Sequence, residues 1–141
     1  KHCETGDIVI PTTSFIGEGA SQYYGQLVSS TATQGLVESA DRALINFGLR
    51  TFIGAHISTS ALLQQSDEEV EKWQQRGLLG VDMETSAVYS AAEYFKMQRV
   101  SMLFVWDELL NRRTWLDEFS ATETLKQSEA NRSIFEVALK L

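Results

Sequence analysis

Cysteine is nearly absent: Cys3 is the only one in 141 residues. No internal disulfide can form, and a chain built this way fits a reducing compartment, so a cytoplasmic location is expected. Histidine is almost as sparse. His2 and His56 are far apart in sequence, and with one cysteine they give no metal-ligand spacing, so no metal site is expected. Positive charge is also short: 12 Lys and Arg stand against 19 Asp and Glu, for a net charge of −7. A nucleic-acid-binding surface needs clustered cations to replace phosphate counterions, and here they are scattered, so that partner is not expected. No apolar run approaches the roughly 20 residues that cross a bilayer, and no basic segment followed by an apolar one opens the chain. A membrane partner is therefore not expected either. P-loops, GxGxxG turns and the GxSxG of serine hydrolases are all missing.

What is present is a chain 43% hydrophobic and long enough for one core, read as a single domain over residues 1–141. It opens at Lys1 and runs straight into "TGDIVIP", so a segment upstream is expected. "DIVIP" reads as a buried strand stopped by Pro11, the sole proline. "TTSFIGEGASQYYG" then reads as a loop, polar and aromatic enough to bind something. Val37, Ala40, Leu44 and Phe47 share one face of a helix ended by Gly48. "RTFIGAHISTSALL" is a strand entering a hydroxyl-rich turn. Ser66 with Glu69 starts the next helix, which Gly77 ends.

"LLGVDM" is a short strand, followed from near Glu84 by a helix with Val88, Ala91, Ala92 and Phe95 as its apolar stripe. "RVSMLFVW" reads as a further buried strand. Ser120 and Glu123 form a capping box for a last helix with Ile134, Val137, Ala138 and Leu141 on one face. Alternating strands and helices predict an α/β fold, layered α/β/α around a mixed, largely parallel sheet. Ligands in such sheets bind beyond the carboxyl ends of the strands. Three segments are expected to meet there: the hydroxyl turn after Ile57, "DME" after Val81 and "DE" after Trp106.

Asp82 and Glu84 are the first groups with chemical potential, since alternation sends both to one side and Met83 to the other. A carboxylate in a first helical turn is stabilised by the macrodipole by about 0.3–1 kcal/mol with no function required. The same carboxylate, held still, accepts two hydrogen bonds from a ribose diol. Asp107 ends an apolar strand and is either its first solvated residue or a ligand-facing acid. Arg112 and Arg113 beside it are either solvent-exposed or an anion site. His56, among apolar neighbours, reads as a core residue with its hydrogen bonds met. Trp73, Trp115, Tyr23 and Tyr24 are available to stack on a base or to pack.

Taken in order, "GDIVIPTTSFIGEGAS", "IGAHISTSALL", "GLLGVDMETSAVYSAAEYF" and "VSMLFVWDEL" resemble the C-terminal half of the nucleoside phosphorylase and nucleosidase superfamily. That family holds purine nucleoside phosphorylases, uridine phosphorylases, methylthioadenosine nucleosidases and AMP nucleosidase. The V-[DE]-M-E-x-x-A segment, here Val81 to Ala87, is the most specific part. The resemblance implies that Glu84 binds the ribose hydroxyls, Met83 packs on the sugar and Asp82 takes the place of the first acid. It implies that Asp107 is the general acid that protonates a purine leaving group, and that Ser58, Thr59 and Leu62 lie along the pocket. Cleavage of an N-glycosidic bond puts positive charge on the ribosyl ring and negative charge on the departing base. An acid near the base and a firmly held sugar both lower that barrier.

The expected reaction is phosphorolysis of a purine nucleoside to free base and ribose 1-phosphate, with inorganic phosphate as co-substrate and no cofactor. The alternatives are a hydrolytic nucleosidase of the AMP or methylthioadenosine type, which "GEGAS" and "DMET" also resemble, and a non-catalytic nucleoside-binding or storage relative. Some positions depart from the family pattern. Leu62 or Leu63 stands where an aromatic would stack on the base, and Trp106 stands where serine is common. Gln64 and Gln65 have no arginine beside them, which disfavours a pyrimidine. The family's phosphate motifs fall upstream of Lys1. Its members assemble, so a homo-oligomer is expected.

Overall fold

The computed structural model describes residues 2–141. Five strands form one mixed sheet: β1 (Ile8–Gly17), β2 (Ser29–Thr31), β3 (Thr51–Thr59), β4 (Val81–Asp82) and β5 (Leu103–Phe104). Four helices flank it: α1 (Gln34–Asn46), α2 (Asp67–Gln75), α3 (Thr85–Tyr94) and α4 (Ala121–Ala138). β1 and β3 run parallel from Ile8↔Thr51 to Gly17↔Thr59 and form the spine. β4 adds parallel to the end of β3. On the other side of β1, β5 pairs antiparallel at Ile8 and Val9, and β2 antiparallel at Thr13 to Phe15.

Pro11 does not stop the first strand, contrary to expectation. β1 continues through what reads as a loop and ends at Gly17, with a register shift between Pro11 and Thr13. The missing N–H costs nothing there, because Pro11 falls at the bulge and in the gap between β5 and β2. The expected strand "RVSMLFVW" shortens to Leu103–Phe104 and is only half-buried.

Alternation divides the layers. Ile8 and Ile10 pack with Val37, Ala40 and Leu44 of α1 and Ala130 and Val137 of α4, forming the apolar core on one face. The register places His56 and Ser58 on the opposite face, where α3 lies, and the Ser86 N–H donates to the Ser58 hydroxyl at 2.8 Å. This is an α/β/α arrangement.

α3 reverses the expected polarity. Its buried residues are Thr85, Ser86, Tyr89 and Ser90, while Val88 and Phe95 of the expected stripe are 55% and 63% exposed. The Ser58 hydroxyl of β3 accepts from the Ser86 N–H, and the Ser90 hydroxyl of the helix bonds to the Ser21 hydroxyl and the Ser86 carbonyl, so hydrogen bonds replace apolar burial at this contact. In α4 the buried face is Gln127, Ala130, Ser133 and Val137; Ala138 is exposed and Leu141 lies beyond the helix. Its capping box is complete, with Ser120 and Glu123 exchanging side-chain and backbone bonds. At α2 only half the box forms, with Ser66 accepting from the Glu69 N–H.

Candidate functional site

A groove of about 790 Å³ runs along the sheet, lined among others by His56, Leu62, Asp82, Met83, Trp106 and Asp107. That volume is in the range of small-molecule sites. At one end the chain turns from β4 into α3. Asp82 accepts hydrogen bonds from the Ser58 hydroxyl at 2.6 Å, from the Thr85 hydroxyl and N–H, and from the Glu84 N–H. Its lone pairs are thereby spent on the first turn of α3, which is the macrodipole-and-cap role that needs no ligand.

Met83 and Glu84 are the exposed residues of that turn. Met83 lines the groove; Glu84 stands beside it outside the lining, and among the described residues its carboxylate takes only the Met83 N–H at 3.2 Å. The remaining acceptor capacity of Glu84 faces solvent. The alternation expected of a strand through "DME" does not hold, because β4 ends at Asp82. Ser58 is fully buried, its hydroxyl shared among Ser14, Asp82 and Ser86. Thr59 is buried too, and its hydroxyl accepts from the Ala61 N–H. Leu62 is 41% exposed on the groove wall.

The three strand ends do not converge, which corrects the expectation. β5 runs against β1, so Asp107 emerges beyond the start of β1, where Glu108 accepts from the Thr5 N–H and hydroxyl. Phe104 is level with Ile8 and Thr51, whereas Asp82 is level with Ser58. At about 3.3 Å per residue, the stretch from Thr51 to Ser58 is roughly 23 Å. A single nucleoside does not span that length.

Asp107 nevertheless has the environment of an acid. Its Oδ1 is buried without a hydrogen-bond partner among the described residues. Burial raises its carboxyl above the ordinary range; the Trp115 N–H opposes this and Asp117 adds to it. The neighbouring Glu108 is pushed the other way by the Thr5 hydroxyl and N–H. Two adjacent carboxyls driven apart are the pattern that separates proton donors from fixed anions. Arg112 and Arg113 are both paired with carboxylates, Arg112 with Asp67 at 2.8 Å and Arg113 with Glu123.

Sequence reading missed Glu18. Its carboxylate accepts from the N–H groups of Ala20 and Ser21, the Ser21 hydroxyl and, at 2.8 Å, the Ser86 hydroxyl, so it ties the loop after β1 to α3. Burial works to raise its carboxyl, but these hydrogen bonds outweigh burial and hold it below the ordinary range. "GEGAS" gives no hint of a partner so far along the chain. Ser14, His56 and Asp82 follow one another in contact like a hydrolase triad, yet Ser14 is wholly buried and also bonded to Ser58. It is no nucleophile. Among the described residues no group of three His, Cys, Asp or Glu side chains is placed to hold a metal, and no helix is long and apolar enough to cross a membrane.

A groove of small-molecule size over a mixed sheet, with an acidic strand-to-helix turn at one end, marks an α/β domain. The chain matches the phosphorylase superfamily model over residues 1–138 and belongs to that family. It is 30% identical over 118 residues to a DeoD-type purine nucleoside phosphorylase of Geobacillus sp. (strain WCH70), covering 84% of this chain and 47% of that one. It is 25% identical over 137 residues to the DeoD-type enzyme of Buchnera aphidicola subsp. Baizongia pistaciae, covering 96% and 55%. A crystal structure of uridine phosphorylase from Vibrio fischeri ES114 superposes with a TM-score of 0.79 at 21% identity, over 99% of this chain and 58% of that one. The nucleoside phosphorylase fold is thus shared. The chain spans about half the length of the curated relatives it matches.

Proposed function

We propose that this chain carries the sugar- and base-binding part of a nucleoside phosphorylase-type enzyme, which cleaves the N-glycosidic bond of a purine nucleoside to free base and ribose 1-phosphate. Inorganic phosphate is the co-substrate and no cofactor is needed. The observation that carries the reading is the Asp82–Glu84 turn. Asp82 spends itself on capping α3, and the rigid turn so made presents Met83 to the groove and leaves Glu84 free to accept a ribose diol. Relatives named purine nucleoside phosphorylase support the purine. Residues 1–141 act as one domain in this reading, within a cytoplasmic homo-oligomer whose contacts include the exposed Val88 and Phe95 face of α3.

Burial that raises the Asp107 carboxyl suits it to donate a proton, but it stands too far from Glu84 to reach the base of a nucleoside held there. Its distance from Glu84 favours a second reading, a relative that binds nucleosides without turning them over. One assay separates the two: release of base from inosine, adenosine and uridine by the purified protein, with and without phosphate. Phosphate-dependent purine release supports the proposal, and phosphate-independent release points to hydrolysis. Binding without release establishes the second reading, and neither binding nor release overturns both.

A further inference from the structure

His56 is absorbed by neither the fold's apolar core nor the proposed chemistry. It is fully buried, borders the groove and sits in a closed ring of polar side chains. Its Nδ1 is 3.1 Å from the Ser14 hydroxyl; Ser14 is 3.0 Å from the Ser58 hydroxyl; Ser58 donates to Asp82 Oδ1 at 2.6 Å. His56 Nε2 closes the ring 3.4 Å from that same Oδ1 but makes no hydrogen bond among the described residues.

Counting protons settles the direction of each bond. An ionised Asp82 has none to give, so the single Ser58 proton goes to Asp82. The Ser14–Ser58 contact must then use the Ser14 proton. The Ser14–His56 contact is left to a proton on Nδ1. The contact without a proton is the fourth and longest, Nε2 to Oδ1, in keeping with a neutral imidazole in a buried place.

We infer that His56 is a positioning residue for the Asp82–Glu84 turn: its Nδ1–H donates to Ser14 and so directs the hydroxyl protons of Ser14 and Ser58 one way, into the Asp82 carboxylate. Ser58 thereby takes the Ser14 proton on one lone pair and keeps the other for the Ser86 N–H. Asp82 holds Thr85 and Ser58 holds Ser86, so the start of α3 depends on a ring proton that His56 supplies from the neighbouring strand. The consequence for ligand rests on the proposed role of Glu84, whereas the proton arrangement does not.

Long-range proton–nitrogen correlation spectra of the protein labelled with ¹⁵N-histidine test the arrangement at neutral pH, with the His56 signals assigned by their loss in His56→Asn. The expected result is a protonated Nδ1 and a bare Nε2; a neutral ring protonated on Nε2 overturns the inference. Amide exchange at Thr85 and Ser86 and inosine affinity are then compared in His56→Asn, which keeps a donor near the Nδ1 position, and His56→Phe, which has none. His56→Phe is expected to speed exchange and weaken inosine binding about tenfold, with His56→Asn close to wild type, a tenfold change being the scale of one hydrogen bond. Equal loss in both variants means His56 is only packing and overturns the positioning role. Should the wild-type protein not bind inosine at all, the proposed function fails, and the spectra and exchange rates still decide the role of His56.

Discussion

The Tyr89 hydroxyl donates to the Pro11 carbonyl at 2.8 Å and accepts from the Ser101 N–H at 2.8 Å. One buried phenol thus joins α3, the bulge of β1 and the segment leading into β5. Tyr89→Phe keeps the ring and removes both bonds, leaving the buried Pro11 carbonyl and the half-buried Ser101 amide without this partner. A loss of about 1–3 kcal/mol for each such group is expected. Urea unfolding with unchanged slope and a lower midpoint is the measurement, and a midpoint equal to wild type would show that water replaces the phenol.

The same contact shows why the bulge was not legible in the sequence. A proline reads as a strand end because it lacks a donor, and only tertiary structure reveals that no neighbouring strand asks Pro11 for one. Helix starts were legible where a local rule fixes them, as at Ser120 and Ser66. The buried face of α3 was not, because its polar groups bond to hydroxyls contributed from distant segments such as Ser21 and Ser58. The Asp82–Glu84 turn could be found from its acids at an apolar strand end. The place of Asp107 could not, since a short apolar run carries no mark of whether it pairs parallel or antiparallel.

Gly17 ends β1 against the backbone of β3. A Cβ there would lie 2.8 Å from the Ser58 carbonyl oxygen, which is backbone and cannot swing aside. Gly17→Ala is expected to cost about 1–3 kcal/mol through forced separation of the strands. Because Ser58 carries the hydrogen bond to Asp82, inosine binding should weaken as well. Stability lost with full inosine affinity retained would show that the turn is held independently of the strand ends.

Asp107→Asn separates chemistry from stability. The substitution removes a carboxyl whose charge burial disfavours, so thermal stability should hold or rise. If Asp107 donates the proton, kcat for purine release falls on the order of 10²-fold or more while KM changes little. Glu84→Ala should instead raise KM, as expected of a group that grips the sugar. Unchanged kcat in Asp107→Asn would remove Asp107 from the mechanism and leave the proton to a group nearer Glu84.

His56 makes stability depend on pH with a definite sign. Burial lowers its folded-state pKa below the usual 6.5, with Asp82 opposing. Below 6.5 the unfolded chain takes up a proton on this ring that the folded protein declines, so protonation favours unfolding. The stability His56 contributes is complete above 6.5 and is lost as pH falls from there toward the folded-state value. The slope cannot exceed about 1.4 kcal/mol per pH unit for one group. Urea midpoints at pH 7.5 and pH 5.5, compared with those of His56→Asn, isolate this ring from the carboxyls that titrate in both proteins. The wild type should lose more than the variant on acidification. An equal loss would mean that the ring takes up its proton without unfolding, with Nε2 and Asp82 then closing the fourth contact as an ion pair.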